Sequence, residues 1–108
     1  KYRPDQPFPQ GTRFDHVPDH TKIYYHEESW QTVEALRAKA GELGLSMVQL
    51  ALAWVFAQPG ITTVLVGARK TAHVDQAFEA EARSQDTDLI AQLQQLPGLD
   101  PGRFVYRW

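Results

Sequence analysis

The chain has 108 residues with 43% hydrophobic and 22% charged residues, 7 glycines and 7 prolines, which is the make-up of an ordinary globular domain rather than of a fibrous or disordered chain. A formal charge of −2 argues against a dedicated nucleic-acid binder, which carries a strongly basic balance. The absence of cysteine excludes a disulfide scaffold, a thiolate zinc site and an iron–sulfur cluster, and no apolar run nears the roughly 20 residues of a spanning helix. The expectation is a soluble, cytoplasmic protein with no membrane and no nucleic-acid partner. The chain starts at Lys1 and has Met47 as its one methionine, which reads as an excerpt of something longer.

Residues 1–29 hold Pro4, Pro7, Pro9 and Pro18 together with Gly11, so neither a helix nor a central strand fits easily and a long loop is expected. From Ser29 the pattern turns helical. Val33, Leu36, Ala40 and Leu43 share one face, Ser29 suits an N-cap, Glu27 and Glu28 suit the positive end of the dipole, and Gly44 suits the stop. Ser46 then caps a second helix, Met47 to Ala57, which is apolar nearly all round and must be buried on more than one side before Pro59 and Gly60 end it.

Ile61 to Val66 is rich in β-branched residues between Gly60 and Gly67, and reads as one parallel strand buried on both faces. Such a strand needs neighbours for its backbone groups, and the sequence supplies none, so the helix–strand–helix order implies an α/β fold whose other strands lie upstream. A turn over Gly67, Ala68, Arg69 and Lys70 follows. Thr71 can then cap a helix from Ala72 to about Ala82 with apolar positions Val74, Ala77 and Phe78, and a last helix from about Thr87 to Leu96 buries Leu89, Ile90 and Leu93. The tail runs through Pro97, Gly98, Pro101 and Gly102 to Phe104, Val105, Tyr106, Arg107 and Trp108; that aromatic end reads as an edge strand, a cover on the fold or a pocket wall.

The turn is the sharpest candidate site. Ligands of parallel α/β folds sit at the carboxyl ends of strands, where loops feed helix N-termini. A glycine, two cations and the amides of a starting helix make a phosphate site, unless the cations are merely solvated. His16, His20 and His26 lie among Asp15, Asp19, Glu27 and Glu28, but Pro18 breaks any helical ligand spacing, and a polar surface loop is the better reading than a metal site. Trp54 reads as core and Trp30 as structural.

The segment GELGLSMVQLALAWVFAQPG from Gly41 to Gly60, followed by ITTVLVGAR from Ile61 to Arg69, resembles the C-terminal part of the aldo-keto reductases, (β/α)8 barrels that reduce carbonyls with NADPH. Lys1-Tyr2-Arg3-Pro4 through Gly11-Thr12-Arg13 is similar to that family's loop after the seventh strand. The resemblance implies the C-terminal fragment of a TIM barrel, running from that loop (1–29) through the closing helix–helix–strand–helix units (30–82) to an extra helix and tail (83–108) of a single domain.

It further implies NADP(H) as cofactor and a small carbonyl compound as substrate of the intact enzyme, with the remainder of the barrel as partner. Lys1 and Arg13 stand where the family contacts cofactor phosphates, and Gly67, Ala68 and Arg69 stand where the adenosine 2′-phosphate is received, with Lys70 as an extra charge. The next helix carries His73 and Gln76 where the family has a glutamine and a glutamate that meet the adenosine, but Ala77 replaces an asparagine and cannot hydrogen-bond. The catalytic Asp, Tyr, Lys and His of the family all lie upstream; Tyr24 and Tyr25 do not stand for that tyrosine, so the chain alone is expected to be inactive. The alternative is a stand-alone helical interaction module, burying its second helix and aromatic tail in a partner or a second copy. A nucleic-acid reading of the Gly44-Leu45-Ser46 junction is weaker still.

Overall fold

A helix with apolar residues on every side can be satisfied only at the centre of a packed group, and that is where α4 (Met47–Phe56) sits in the computed structural model, which describes residues 2–100. It packs against α3 (Glu27–Leu43), α5 (Thr71–Arg83) and α6 (Thr87–Gln94). Leu50 and Ala53 are wholly buried and Trp54 nearly so. Leu36 and Ala40 of α3, Ala80 of α5 and Leu89, Ile90 and Leu93 of α6 complete the core. Each helix is thus amphipathic toward α4, and burial of these side chains at ~25 cal/mol per Å² is the main term holding the helices together.

Local chemistry sets the element ends. Ser46 Oγ accepts the Gln49 N–H at 3.1 Å and Gln49 Oε1 accepts the Ser46 N–H at 2.9 Å, a reciprocal capping box that starts α4. Asp86 caps α6 by accepting the Leu89 N–H at 3.0 Å. Gly44 ends α3 in the left-handed region (φ 64°). The Trp54 Nε1–H donates to the Leu99 carbonyl at 2.9 Å and so ties the segment after α6 back onto α4. Gly98 (φ 76°) lies so near Thr32 that a Cβ would run into its hydroxyl.

Several expectations need correction. The loop over 1–29 contains short helical turns, α1 (Arg13–His16), a 3-10 turn (Pro18–His20) and α2 (Thr21–Tyr24), because Pro18 starts a helical turn as readily as it breaks a long helix. α3 begins one turn early: His26 is its N-cap, and Glu27 and Glu28 fall in its first turn. The N-cap of α5 is Lys70, not Thr71.

The largest correction concerns Ile61 to Val66. No strand is present among the described residues, and residues 61–68 lie outside any helix or strand. Beyond the Ile61 N–H, which reaches back to the Gln58 carbonyl, no backbone hydrogen bond joins this segment to another described residue. A ladder needs two strands, and no second strand is present among the described residues. The side chains nevertheless alternate: Val64, Val66 and Ala68 face α4 and α5, while Leu65 is 96% exposed. The apolar face expected of α5 is correspondingly open, with Val74 44% and Phe78 71% exposed. Phe56, Val64, Val66, Val74 and Phe78 line an apolar groove of about 340 Å³. The tail from Pro101 to Trp108 lies outside the described residues.

If α4 is the hub, Leu50→Ala lowers the unfolding free energy by about 2–5 kcal/mol, whereas Val48→Ala on the same helix, at a position 51% exposed, changes it by less than ~0.5 kcal/mol. Urea denaturation of the two variants measures the contrast.

Candidate functional site

Between the open segment and α5 the chain passes through Gly67, Ala68, Arg69 and Lys70, all exposed. Gly67 does not adopt a positive φ, and nothing stands within 4 Å of the place its Cβ would occupy. Backbone strain therefore does not explain the glycine; open space beside the backbone does exist. Ala68 turns its methyl into the apolar groove. Arg69 and Lys70 project outward, and neither forms an ion pair among the described residues.

Two unpaired cations sit here at the start of a thirteen-residue helix, the end that carries the positive half of the dipole. The N–H groups of Thr71 and Ala72, in the first turn, have no acceptor among the described residues, while the His73 N–H donates to the Lys70 carbonyl at 3.0 Å. The Arg69 N–H donates to His73 Nδ1 at 3.3 Å. Gln76 is half-buried and makes no side-chain hydrogen bond among the described residues, and Ala77 lines the groove. Gly67 through His73 thus lie at one helix start, with Gln76 in the next turn, and the exposed cations and free amides there make a donor-rich surface suited to an anion.

The other candidates lie elsewhere. Lys1 is outside the described residues. Arg13, exposed in the first turn of α1, donates through Nε to His20 Nδ1 at 3.2 Å. Its loop is firmly built: Gly11 N–H donates to Asp15 Oδ2 at 2.7 Å, and the Thr12 hydroxyl donates to the Pro9 carbonyl at 2.7 Å. Beneath it Tyr2, Phe8, Phe14, Tyr25 and Trp30 form an aromatic cluster, with centroids 4.5 Å apart for Tyr2 and Phe14 and 5.1 Å for Tyr25 and Trp30. The Tyr25 hydroxyl donates to the Arg3 carbonyl. Among the described residues no hydrogen bond or ion pair links Arg13 to the Gly67–Lys70 turn.

Sequence reading missed that cluster, although the aromatics scattered among the prolines of the first 25 residues were its signal. It also missed that His73 is already engaged with the Arg69 amide four residues before it. His20 is held by Arg13, and His26 by Ser29 and the Ile23 carbonyl. No group of three or more His, Asp or Glu side chains among the described residues could hold a metal. No helix among the described residues is long and apolar enough to cross a membrane.

The aldo/keto reductase family model matches residues 2–97, which takes in the aromatic loop, the α4 hub, the open segment and the cationic turn alike. The chain belongs to the aldo/keto reductase family. It is also similar to a probable voltage-gated potassium channel subunit beta from Oryza sativa subsp. japonica, 33% identical over 54 residues, which are 50% of this chain and 16% of that protein. The chain therefore matches about a sixth of that relative's length. No solved structure matches the chain. Membership makes it part of an oxidoreductase family whose fold is the TIM barrel.

The exposure of the turn in this aldo/keto reductase chain has a direct consequence for stability. Arg69→Ser and Lys70→Ser remove no ion pair and no packed side chain, so each shifts the unfolding midpoint by the equivalent of less than ~0.5 kcal/mol, as read by thermal or urea denaturation. A larger loss would mean that the two cations hold the fold.

Proposed function

We propose that this chain is the closing part of an NADP(H)-dependent aldo-keto reductase and that it holds the phosphate and adenosine end of the cofactor. The observation that carries the reading is the two cations Arg69 and Lys70, without an ion pair among the described residues, beside open helix amides in a chain matched by the family over residues 2–97. These groups fit the cofactor on chemical grounds. A phosphomonoester is dianionic, and a planar guanidinium pairs with two of its oxygens at once. The free N–H groups of Thr71 and Ala72 supply further donors along the dipole. The open space beside Gly67 admits a ligand that a side chain would meet.

On this reading Arg69 and Lys70 take the 2′-phosphate, with Gly67 and Ala68 flanking it and His73 and Gln76 toward the adenosine. Lys1 and Arg13 serve the phosphates nearer the middle of the cofactor. When bound, the nicotinamide supplies the hydride that converts an aldehyde or ketone to an alcohol. The residues of this chain anchor and orient; proton transfer falls to the upstream tetrad of the family, and the 108-residue chain alone is inactive. The apolar groove between α4 and α5, with Val64, Val66 and Phe78 on its walls, is where the remainder of the barrel packs.

Exposed apolar surface of this kind also suits an interaction module without catalysis, and the two readings separate in one experiment. In a full-length protein that carries this segment, NADPH titrated against intrinsic fluorescence saturates, and Arg69→Ser weakens NADPH at least about tenfold, the loss of one charge-assisted pair, while leaving NADH nearly unchanged. Failure of the full-length protein to bind either nucleotide, together with a defined oligomer of the 108-residue chain in light scattering, would favour the interaction module.

A further inference from the structure

Lysine has no acceptor on its side chain, so the N-cap Lys70 cannot close its own helix start in the way Ser46 and Asp86 do. The closing bonds come from His73, in the third position of α5. Its N–H donates to the Lys70 carbonyl at 3.0 Å, and its ring Nδ1 accepts the Arg69 N–H at 3.3 Å. Neither bond is a side-chain cap of the helix: one closes the first turn through the backbone, and the other ties the ring to the amide just before the N-cap. Both bonds cross the two cationic residues, so His73 fixes the backbone that carries Arg69 and Lys70.

The bond also fixes the ring's own chemistry. A backbone N–H can only donate, so Nδ1 must offer a lone pair, and the neutral imidazole carries its hydrogen on Nε2. Two consequences follow for an incoming anion. The Arg69 amide is already used, which leaves the guanidinium, the Lys70 ammonium and the amides of Thr71 and Ala72 as the donors. The second ring nitrogen of His73, which is exposed, is available as a neutral donor and not as an acceptor.

Resting on the cofactor reading above, we infer that His73 is a positioning residue of this turn: through Nδ1 it holds the Arg69 backbone so that Arg69 and Lys70 meet a nucleotide phosphomonoester, and its Nε2–H remains as a donor toward the ligand. The role belongs to the acceptor atom, not to the ring. A glutamine in the same position keeps an acceptor of similar reach, and an alanine does not.

The test uses the full-length protein as wild type, His73→Ala and His73→Gln, titrated with NADPH and with NADH, which lacks the 2′-phosphate. His73→Ala is expected to weaken NADPH about fivefold, the worth of one hydrogen bond, and NADH less than about twofold; His73→Gln is expected to recover NADPH to within about twofold of wild type. In parallel, nitrogen-15 spectra of the cofactor-free wild type should show Nδ1 of His73 unprotonated and Nε2 protonated. An unchanged NADPH-to-NADH preference in His73→Ala, a His73→Gln variant as impaired as His73→Ala, or a protonated Nδ1 each overturns the inference. Wild type that binds neither nucleotide overturns the cofactor reading and the ligand half of this one, and the spectrum then decides on its own whether His73 holds the turn.

Discussion

A chain segment with apolar side chains on both sides must find hydrogen-bond partners along its edges or stay open to water, and residues 61–68 are under that constraint. Val64, Val66 and Ala68 face the α4–α5 pair, and Leu65, 96% exposed, faces the other way. The side chains are therefore already sorted as a strand sorts them, while among the described residues the backbone has no ladder to make it a strand. Other features follow from the same cause. The groove stays open, Phe78 and Val74 are left to solvent, and α5 is held only along the stripe that contains Ala80. What keeps the segment in place is the hub beneath it, where Leu50, Ala53 and Trp54 of α4 bind three helices into one core.

The cationic turn inherits its position from that arrangement. It begins where the open segment ends and finishes at the start of α5, so the packing of α5 on α4 sets where Arg69 and Lys70 project. The division of labour is clear in the sequence of bonds. Apolar burial fixes the helix, His73 fixes the turn, and the two charged side chains form no ion pair among the described residues. Exposed cations at a helix start add little to stability, and the proposed cofactor site gives them a partner. Arg13 belongs to a second unit, the aromatic-backed loop, and the cofactor reading asks both units to serve one elongated ligand.

Much of this was legible beforehand, for identifiable reasons. Ser46, Gly44 and the run from Met47 to Phe56 announce α4 because capping and all-round apolarity are local properties. Leu89, Ile90 and Leu93 announce α6 by spacing. The strand expected at Ile61 to Val66 failed as a strand because pairing is not local: β-branched residues declare a preference that only a neighbour fulfils. Side-chain chemistry favours Thr71 over Lys70 as a cap, yet α5 starts after Lys70 with no side-chain capping bond, and the His73 ring instead holds the Arg69 N–H just before the helix. In the first 25 residues the prolines outweighed the aromatics in the reading, yet Tyr2, Phe8, Phe14 and Tyr25 are what order that loop against Trp30.

The proposed function has residues 61–66, which form no strand among the described residues, pairing with upstream segments of the intact barrel, and amide hydrogen exchange measures this directly. In the 108-residue chain the Thr62, Thr63, Val64, Leu65 and Val66 amides should exchange nearly as fast as in an unfolded peptide, while Leu50 and Ala53 of α4 are protected. In a full-length protein that carries this segment the same five amides should slow by about a thousandfold or more, as expected when core strand hydrogen bonds open only with several kcal/mol of unfolding. Strong protection of these amides in the 108-residue chain, or none in either protein, would contradict the account.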